Sequence, residues 1–236
     1  VIVGKKLNRT EAGEVIYENG LPTFDDKVSV LGNGNYDFTL GFRNAFSYKN
    51  LSMSVLVDMK FGADVYSMSK MQSHVNGTSK ETLEGREGWY ASEQARLSAN
   101  VDAKDWTPTG GYVGKGVKAV TDADGNVSYV PNDVYVDPAK YWQALQNSSP
   151  EPFICDNSFV KLREVSLSYS CPKKWFVHTP IESVTLSAYG RNLLLIYSKV
   201  DNIDPESSYN NGNGQGFEYG SLPSRRTFGF GINVKF

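Results

Sequence analysis

Large apolar side chains fall on every second residue over unusually long stretches of this chain. Across 37–48 the even positions carry Phe38, Leu40, Phe42, Asn44, Phe46 and Tyr48, and the odd ones Asp37, Thr39, Gly41, Arg43, Ala45 and Ser47. After Lys49-Asn50, Leu51, Met53, Val55, Val57, Met59 and Phe61 take one side, and Ser52, Ser54, Leu56, Asp58, Lys60 and Gly62 the other. Period 2 is the repeat of a strand whose successive side chains point to opposite faces. The two-residue connection then makes the pair a hairpin. The alternation returns in Val165, Leu167 and Tyr169, in Val184, Leu186 and Ala188, and in Phe228, Phe230, Ile232, Val234 and Phe236. Strands are therefore predicted near 37–48, 51–62, 159–170, 183–194 and 226–236.

A soluble sandwich and a membrane barrel both alternate in this way. Strand length separates them, because soluble strands average about five or six residues and a tilted spanning strand needs ~9–11. The first two runs exceed the soluble average twofold, and their apolar faces carry bulky side chains almost without a break. Their polar faces hold Arg43, Asp58 and Lys60, which are costly in a packed core and acceptable facing a water-filled lumen. The pattern thus favours an all-β fold, a segment of an antiparallel transmembrane β-barrel, over a sandwich. The connections are unequal: Lys49-Asn50 is minimal, whereas 66–158 and 197–223 are long, the second with Asn210, Asn211 and Asn213 at its tip. Short turns on one side and long loops on the other are the asymmetry of outer-membrane barrels, and Phe236 falls on the short, periplasmic side. Within 66–158, Glu81–Ala99 and Pro138–Gln146 read as short helices, and 121–126 as a hairpin tip.

Composition sharpens this only in part. The 236 residues carry 24 Lys+Arg against 26 Asp+Glu, so the chain as a whole offers no basic footprint for nucleic acid or for an anionic lipid surface. No apolar run approaches the ~18 residues of a helical span, and a mean hydropathy of −0.39 does not exclude a barrel with a polar lumen. Val1-Ile2-Val3-Gly4-Lys5-Lys6 lacks an initiator Met and a signal-peptide core, so the chain reads as the interior or tail of something longer.

Specific residues add a family likeness. Asn157-Ser158-Phe159-Val160-Lys161-Leu162-Arg163-Glu164-Val165-Ser166-Leu167-Ser168-Tyr169, with Pro172-Lys173-Lys174-Trp175 after it, resembles a signature of the SusC/RagA family of TonB-linked outer-membrane transporters. So do Val184–Gly190 running into Arg191-Asn192-Leu193-Leu194, then Asp204-Pro205-Glu206, and the closing Pro223–Phe236. Leu31–Thr39 is similar to an upstream stretch of the family, with Tyr36 where a proline is expected. The resemblance covers most of 30–70 and 157–236. It implies a C-terminal portion of a plugged barrel of about 22 strands. Such proteins sit in the Gram-negative outer membrane, in organisms of the Bacteroidetes type, and import large nutrients, usually glycans and sometimes peptides. The implied partners are a SusD-like surface lipoprotein over the mouth, the TonB system acting through a plug region absent from this chain, membrane lipid, and the glycan or peptide ligand.

Catalytic chemistry is not predicted, and the chain does not read as an enzyme. His74 and His178 are far apart and belong to no metal-spaced cluster; both read as ordinary surface histidines. No metal or cofactor site is expected. Asp122-Ala123-Asp124-Gly125-Asn126 starts like a calcium loop but lacks the later bidentate Glu, so a plain turn is favoured. Asp201-Asn202-Ile203-Asp204-Pro205-Glu206 is acidic, and the likeness makes it structural. Cys155 and Cys171 flank one spanning strand, on the order of 40 Å apart at ~3.3 Å per residue, so no disulfide is expected between them. The binding hypothesis rests on the loop aromatics Trp89, Tyr90, Trp106, Tyr112, Tyr141 and Trp142, whose flat rings suit sugar faces or else pack the loops. The competing whole-chain readings are a soluble all-β carbohydrate-binding module and an outer-membrane scaffold without transport.

Overall fold

The structure is a computed structural model that describes residues 1–207, 212 and 214–236; Asn210, Asn211 and Asn213 of the Asn/Gly tip lie outside the described residues. In chain order the first strands are β1 (Ile2–Leu7), β2 (Ile16–Glu18), β3 (Leu21–Pro22), β4 (Phe24–Gly32), β5 (Phe38–Tyr48), β6 (Leu51–Phe61) and β7 (Asp64–Ser67). There follow β8 (Val117–Thr121), β9 (Val127–Pro131), β10 (Ile154–Asp156), β11 (Phe159–Ser170), β12 (Ser183–Ser198), β13 (Phe217–Glu218) and β14 (Thr227–Lys235). The α-helices are α1 (Met68–Val75), α2 (Arg86–Ser98) and α3 (Pro138–Ser148). The chain forms two compact units, Val1–Gly32 with Tyr66–Ile154, and Asn33–Val65 with Cys155–Phe236.

The second unit is built on an antiparallel sheet of five strands in the order β14-β12-β11-β6-β5. Its register collects the alternating residues onto common faces. Phe46 lies opposite Met53, Met53 opposite Leu167, Leu167 opposite Ala188, and Ala188 opposite Phe230, an apolar row across all five strands. The neighbouring row on the other face runs Ser47, Ser52, Ser168, Ser187, Gly231, with the Ser47 and Ser52 hydroxyls 3.1 Å apart. A one-residue slip would exchange the two faces throughout. The apolar face is not a core: Phe42 is 53% exposed and Phe230 87%. A sandwich would bury both, so the sandwich reading does not describe this sheet. The sheet is open, with β5 and β14 as its edges. No described helix is long and apolar enough to cross a membrane, which says nothing about strands.

Two departures from regular pairing position the polar face. Leu162 pairs with Val57 and Glu164 with Leu56, so Arg163 is an extra residue without a partner on β6. A bulge of this kind re-aims a side chain; here it places Arg163 within reach of Asp58 on the polar face, two residues from Lys161. On β12 the facing Asn192 adopts φ 52°, and β12 runs on to Ser198, beyond the predicted end at 194. In that extension Leu193 to Tyr197 is continuously apolar and gives no period to read. Gly229 has a steric reason: a Cβ there would sit 2.4 Å from the Tyr189 ring.

The first unit gathers most of the segment read as a long loop, together with the N-terminal 32 residues, to which no strands were assigned. It holds a sheet in the order β3-β2-β8-β9, the pair β1-β4, and the three helices. Its core consists of Tyr17, Met71, Tyr112, Tyr141, Trp142, Leu145 and Phe153. Helix α3 presents Pro138, Tyr141, Trp142 and Leu145 to it, the i, i+3, i+4, i+7 stripe of a one-sided helix. Asp137 caps α3, accepting from Ala139 N at 2.9 Å, with Pro138 in the first turn. Helix α2 begins later than the predicted 81 because Gly85 sits at φ +79°, outside helical space, and 80–83 form a separate 3-10 turn. At the β8–β9 tip the Asp122 carboxylate accepts from Asp124 N and Asn126 N at 2.9 and 2.8 Å. It closes a hairpin turn, and the Asn126 side-chain amide, donating at 3.0 Å, together with these backbone amides holds its pKa below the usual carboxylate range.

Candidate functional site

On the polar face of the sheet unit, the bulge assembles a charge cluster. Lys161 is 4% exposed, and its Nζ donates to Glu206 Oε2 at 2.6 Å, Ser224 Oγ at 2.9 Å and Asp204 Oδ1 at 3.2 Å. Arg163 donates through Nε to Asp58 Oδ2 at 2.6 Å and through Nη1 to Asn192 Oδ1 at 2.6 Å and Glu206 Oε2 at 2.9 Å. Its Nη2 also reaches Glu206 Oε1, giving the two-pronged pairing that only a guanidinium makes. Asp204 in turn accepts from the Ser224 amide at 2.8 Å and from the Ser224 hydroxyl. Burial works to raise both carboxyls, but their donors prevail. Ser224 and the backbone amides hold Asp204 below its ordinary value, and Arg163 and Lys161 do the same for Glu206. The result fastens the connection after β12 to β11.

Beside this cluster lies a polar cavity of about 490 Å³, lined among others by Tyr36, Thr39, Lys60, Asn157, Glu206 and Ser207. Asn157 Nδ2 donates to Tyr36 Oη at 2.9 Å and to Pro205 O at 2.8 Å. Burial, with the Glu206 charge second, pushes the Tyr36 hydroxyl up to about 12. Lys60 Nζ stands over the Tyr36 and Phe159 rings at 5.3 and 5.8 Å, within cation–π range. Asn157 Oδ1 and Ser207 Oγ are buried without a hydrogen-bond partner among the described residues. Of the three polar residues expected to face a lumen, Asp58 is thus engaged by Arg163, Lys60 borders the cavity, and Arg43 is exposed opposite Leu56. The cluster itself was missed in the sequence, where the acidic run 201–206 stood far from Lys161.

In the helical unit the six loop aromatics divide. Tyr112, Tyr141 and Trp142 lie in the core, with the two tyrosine rings 4.4 Å apart and Tyr141 Oη 3.3 Å from Tyr17 Oη. Burial raises the pKa of all three tyrosines. Trp106 donates its Nε1 to the buried Ser92 Oγ at 3.1 Å. Trp89 and Tyr90 of α2, with Trp142, line a cleft of about 680 Å³, whose wall also includes His74, Arg86 and Asp137. That volume lies within the range of small-molecule sites. Arg86 is already committed, donating to Thr82 Oγ1 at 2.7 Å and to Gly77 O.

His74 is a correction. It is 3% exposed rather than a surface residue, with its ring 4.4 Å from that of Trp142, Nδ1 2.8 Å from Lys70 O and Nε2 2.6 Å from Glu81 Oε2. The short helix that carries it, α1, sets Met68, Met71 and Val75 against the core at i, i+3 and i+7, a stripe too brief to have been read as a helix, and His74 lies beside it. His178 is exposed. Cys155 and Cys171 are not joined to one another. Among the described residues, no three His, Cys, Asp or Glu side chains gather as a metal ion would require.

No family model matches the chain. It is similar to two curated proteins of Formosa agariphila. One is TonB-dependent receptor P3, 27% identical over 92% of this chain and 18% of that protein; the other is TonB-dependent receptor P26, 29% identical over 100% of this chain and 20% of that protein. The chain therefore spans about a fifth of the length of the curated relatives it matches. Among solved structures it is similar to the RagAB peptide importer in its closed-closed state (TM-score 0.56, 16% identity, 99% of this chain and 23% of that one). It is also similar to the open-open state (TM-score 0.53, 14% identity, 99% and 22%). The fold likeness covers residues of both units.

Proposed function

We propose that this chain is a portion, near the C-terminus, of the barrel of a TonB-dependent importer of about 22 strands in the outer membrane of a Gram-negative bacterium. It contributes five neighbouring strands to the wall. The observation that carries this reading is the exposed apolar face. Phe42, Val55, Leu167 and Phe230 share one side of a long-stranded sheet while the serine row and the Lys161–Glu206 cluster share the other. Hydrocarbon outside and a wet, plug-filled lumen inside would satisfy both faces. The open edges β5 and β14 would be paired by further strands, since unpaired backbone is not tolerated in lipid. Resemblance to receptors named TonB-dependent supports the energy source.

The cargo in this reading is a large nutrient, a glycan or a peptide, admitted beneath a SusD-like lipoprotein. Residues 66–154 of the first unit lie in sequence between β6 and β11, in the connection this reading takes as extracellular because it is long where Lys49-Asn50 is short. Trp89, Tyr90 and Trp142 are its ligand contacts, with Trp106, Tyr112 and Tyr141 supporting them. The test is uptake of labelled oligosaccharides and peptides by cells carrying the full receptor, with and without TonB. Uptake that persists undiminished without TonB would sink the importer reading. TonB-dependent uptake left unchanged by Trp89→Ala with Tyr90→Ala would sink only the contact assignment. A scaffold without transport would give no uptake in either strain.

A further inference from the structure

The short-turn end of the sheet has a chemistry of its own. Ser170 N donates to Asn50 O at 2.8 Å, Cys171 N to Val184 O at 2.8 Å, and Glu182 N to Lys235 O at 2.7 Å. The 49–50 turn, the 171–182 connection and the end of β14 therefore form one rim across the strands. That rim carries Lys49, Lys173, Lys174 and Lys235, against a single carboxylate side chain, Glu182, within 169–183. Glu182 is taken by Lys235 at 2.7 Å. Among the described residues Lys49, Lys173 and Lys174 have no carboxylate within ion-pair distance, and Lys49 Nζ instead lies 5.2 Å from the Tyr48 ring centre. Tyr48 and Trp175 stand 71% and 59% exposed beside them, with Val177 at 71%.

Exposed aromatic rings next to unneutralised ammonium groups, at the end of an apolar face, match one environment closely. The rings suit the interfacial layer of a bilayer, and the lysines reach from it to phosphate. Charge selects among headgroups: three unopposed cations favour a net-negative lipid over a zwitterionic one. We propose that this rim is a binding surface for anionic phospholipid headgroups, with Lys49, Lys173 and Lys174 as the phosphate contacts and Trp175 seated at the level of the headgroups. The proposal rests on the reading that the apolar face meets hydrocarbon.

The test uses the full polypeptide that carries this chain, reconstituted in lipid nanodiscs, with Trp175 emission isolated by subtraction of a Trp175→Phe variant. Brominated phosphatidylglycerol and brominated phosphatidylcholine are compared as quenchers. Each lysine near a charged surface is worth about 1 kcal/mol, or about fivefold in local enrichment. The phosphatidylglycerol quencher is therefore expected to act at roughly a tenth of the mole fraction or lower. Lys173→Gln with Lys174→Gln, and high salt, should bring the two quenchers together. Equal potency in the unmodified protein would overturn the headgroup proposal and leave the membrane reading standing. Absence of quenching by either lipid would overturn both, since Trp175 would then not sit at a bilayer.

Discussion

The two units bury their aromatic residues in opposite senses. In the first, Tyr141, Trp142 and Phe153 are inside, touching one another and the tyrosines of β2 and of the loop before β8. In the second, Phe38, Phe42, Phe46 and Phe230 are outside, while the buried positions include Lys161 and Asn157 beside Phe159, Val65 and Val200. The first follows the ordinary rule of a water-soluble interior, and the second inverts it. The inversion is coherent, because it obeys strand register over all five strands rather than appearing as scattered exposed residues. On the proposed reading two solvents acting on one chain account for it: water shapes the helical unit, and hydrocarbon shapes one face of the sheet.

Substitutions should break that comparison differently in each unit. The largest expected effects are two. Trp142→Ala removes a core ring of the helical unit and should destabilise it by about 3–5 kcal/mol, read as loss of its cooperative denaturant transition. Lys161→Met leaves the largely buried Asp204 without its cation and removes one of the two that hold Glu206, which keeps Arg163; it should cost about 3–5 kcal/mol, read as proteolytic release of the 199–226 segment. Next comes Phe42→Arg. In bilayers a charge at this depth should cost about 2–4 kcal/mol, whereas at an ordinary exposed surface position it would change stability by less than about 0.5 kcal/mol; urea titration of the protein in liposomes distinguishes these. The smallest effect is Asp137→Ala, which removes the α3 cap and should cost about 1 kcal/mol by the same denaturant transition used for Trp142→Ala.

Acid should separate the units as well. Asp204 and Glu206 are held below their ordinary pKa values when folded, so their contribution is fully present above the unfolded carboxylate pKa and is lost as pH falls through the lower folded values. Attachment of the 199–226 segment should therefore be flat from neutral pH to about pH 5 and weaken below about pH 4. Limited proteolysis across pH, with the Asp204→Asn and Glu206→Gln variants, reads this directly. In those variants the acid-dependent step should disappear.

The sheet was the legible part of this chain because its signal is local: a period of two survives in any window that a strand fills. Even the bulge leaves a trace, since the apolar phase slips from Val160 and Leu162 to Val165, Leu167 and Tyr169, with Arg163 and Glu164 adjacent between them. The cluster that the bulge serves was not legible, because its carboxylates arrive from Asp204 and Glu206 on a separate connection, a pairing that only the fold creates. The helical unit was hidden for another reason. Apart from α3, which supplies Tyr141, Trp142 and Leu145, its core draws single residues from separate short elements, so Tyr17, Met71 and Phe153 carry no period that ties them together. The flat rings read as exposed loop platforms divided accordingly: Tyr141 and Tyr112 serve that core, and Trp89 and Tyr90 border the cleft.

The most direct test of the central claim compares neighbours in sequence that belong to opposite faces. In a background with Cys155→Ser and Cys171→Ser, single cysteines replace Phe42, Arg43, Ile232 and Asn233 in turn, and each is labelled with a polarity-sensitive dye in the full protein in bilayers. The account expects dyes at 42 and 232 to emit in the blue and to be quenched by lipid-borne bromine. Dyes at 43 and 233 should emit in the red and be quenched by aqueous iodide. Iodide quenching at all four positions would contradict it.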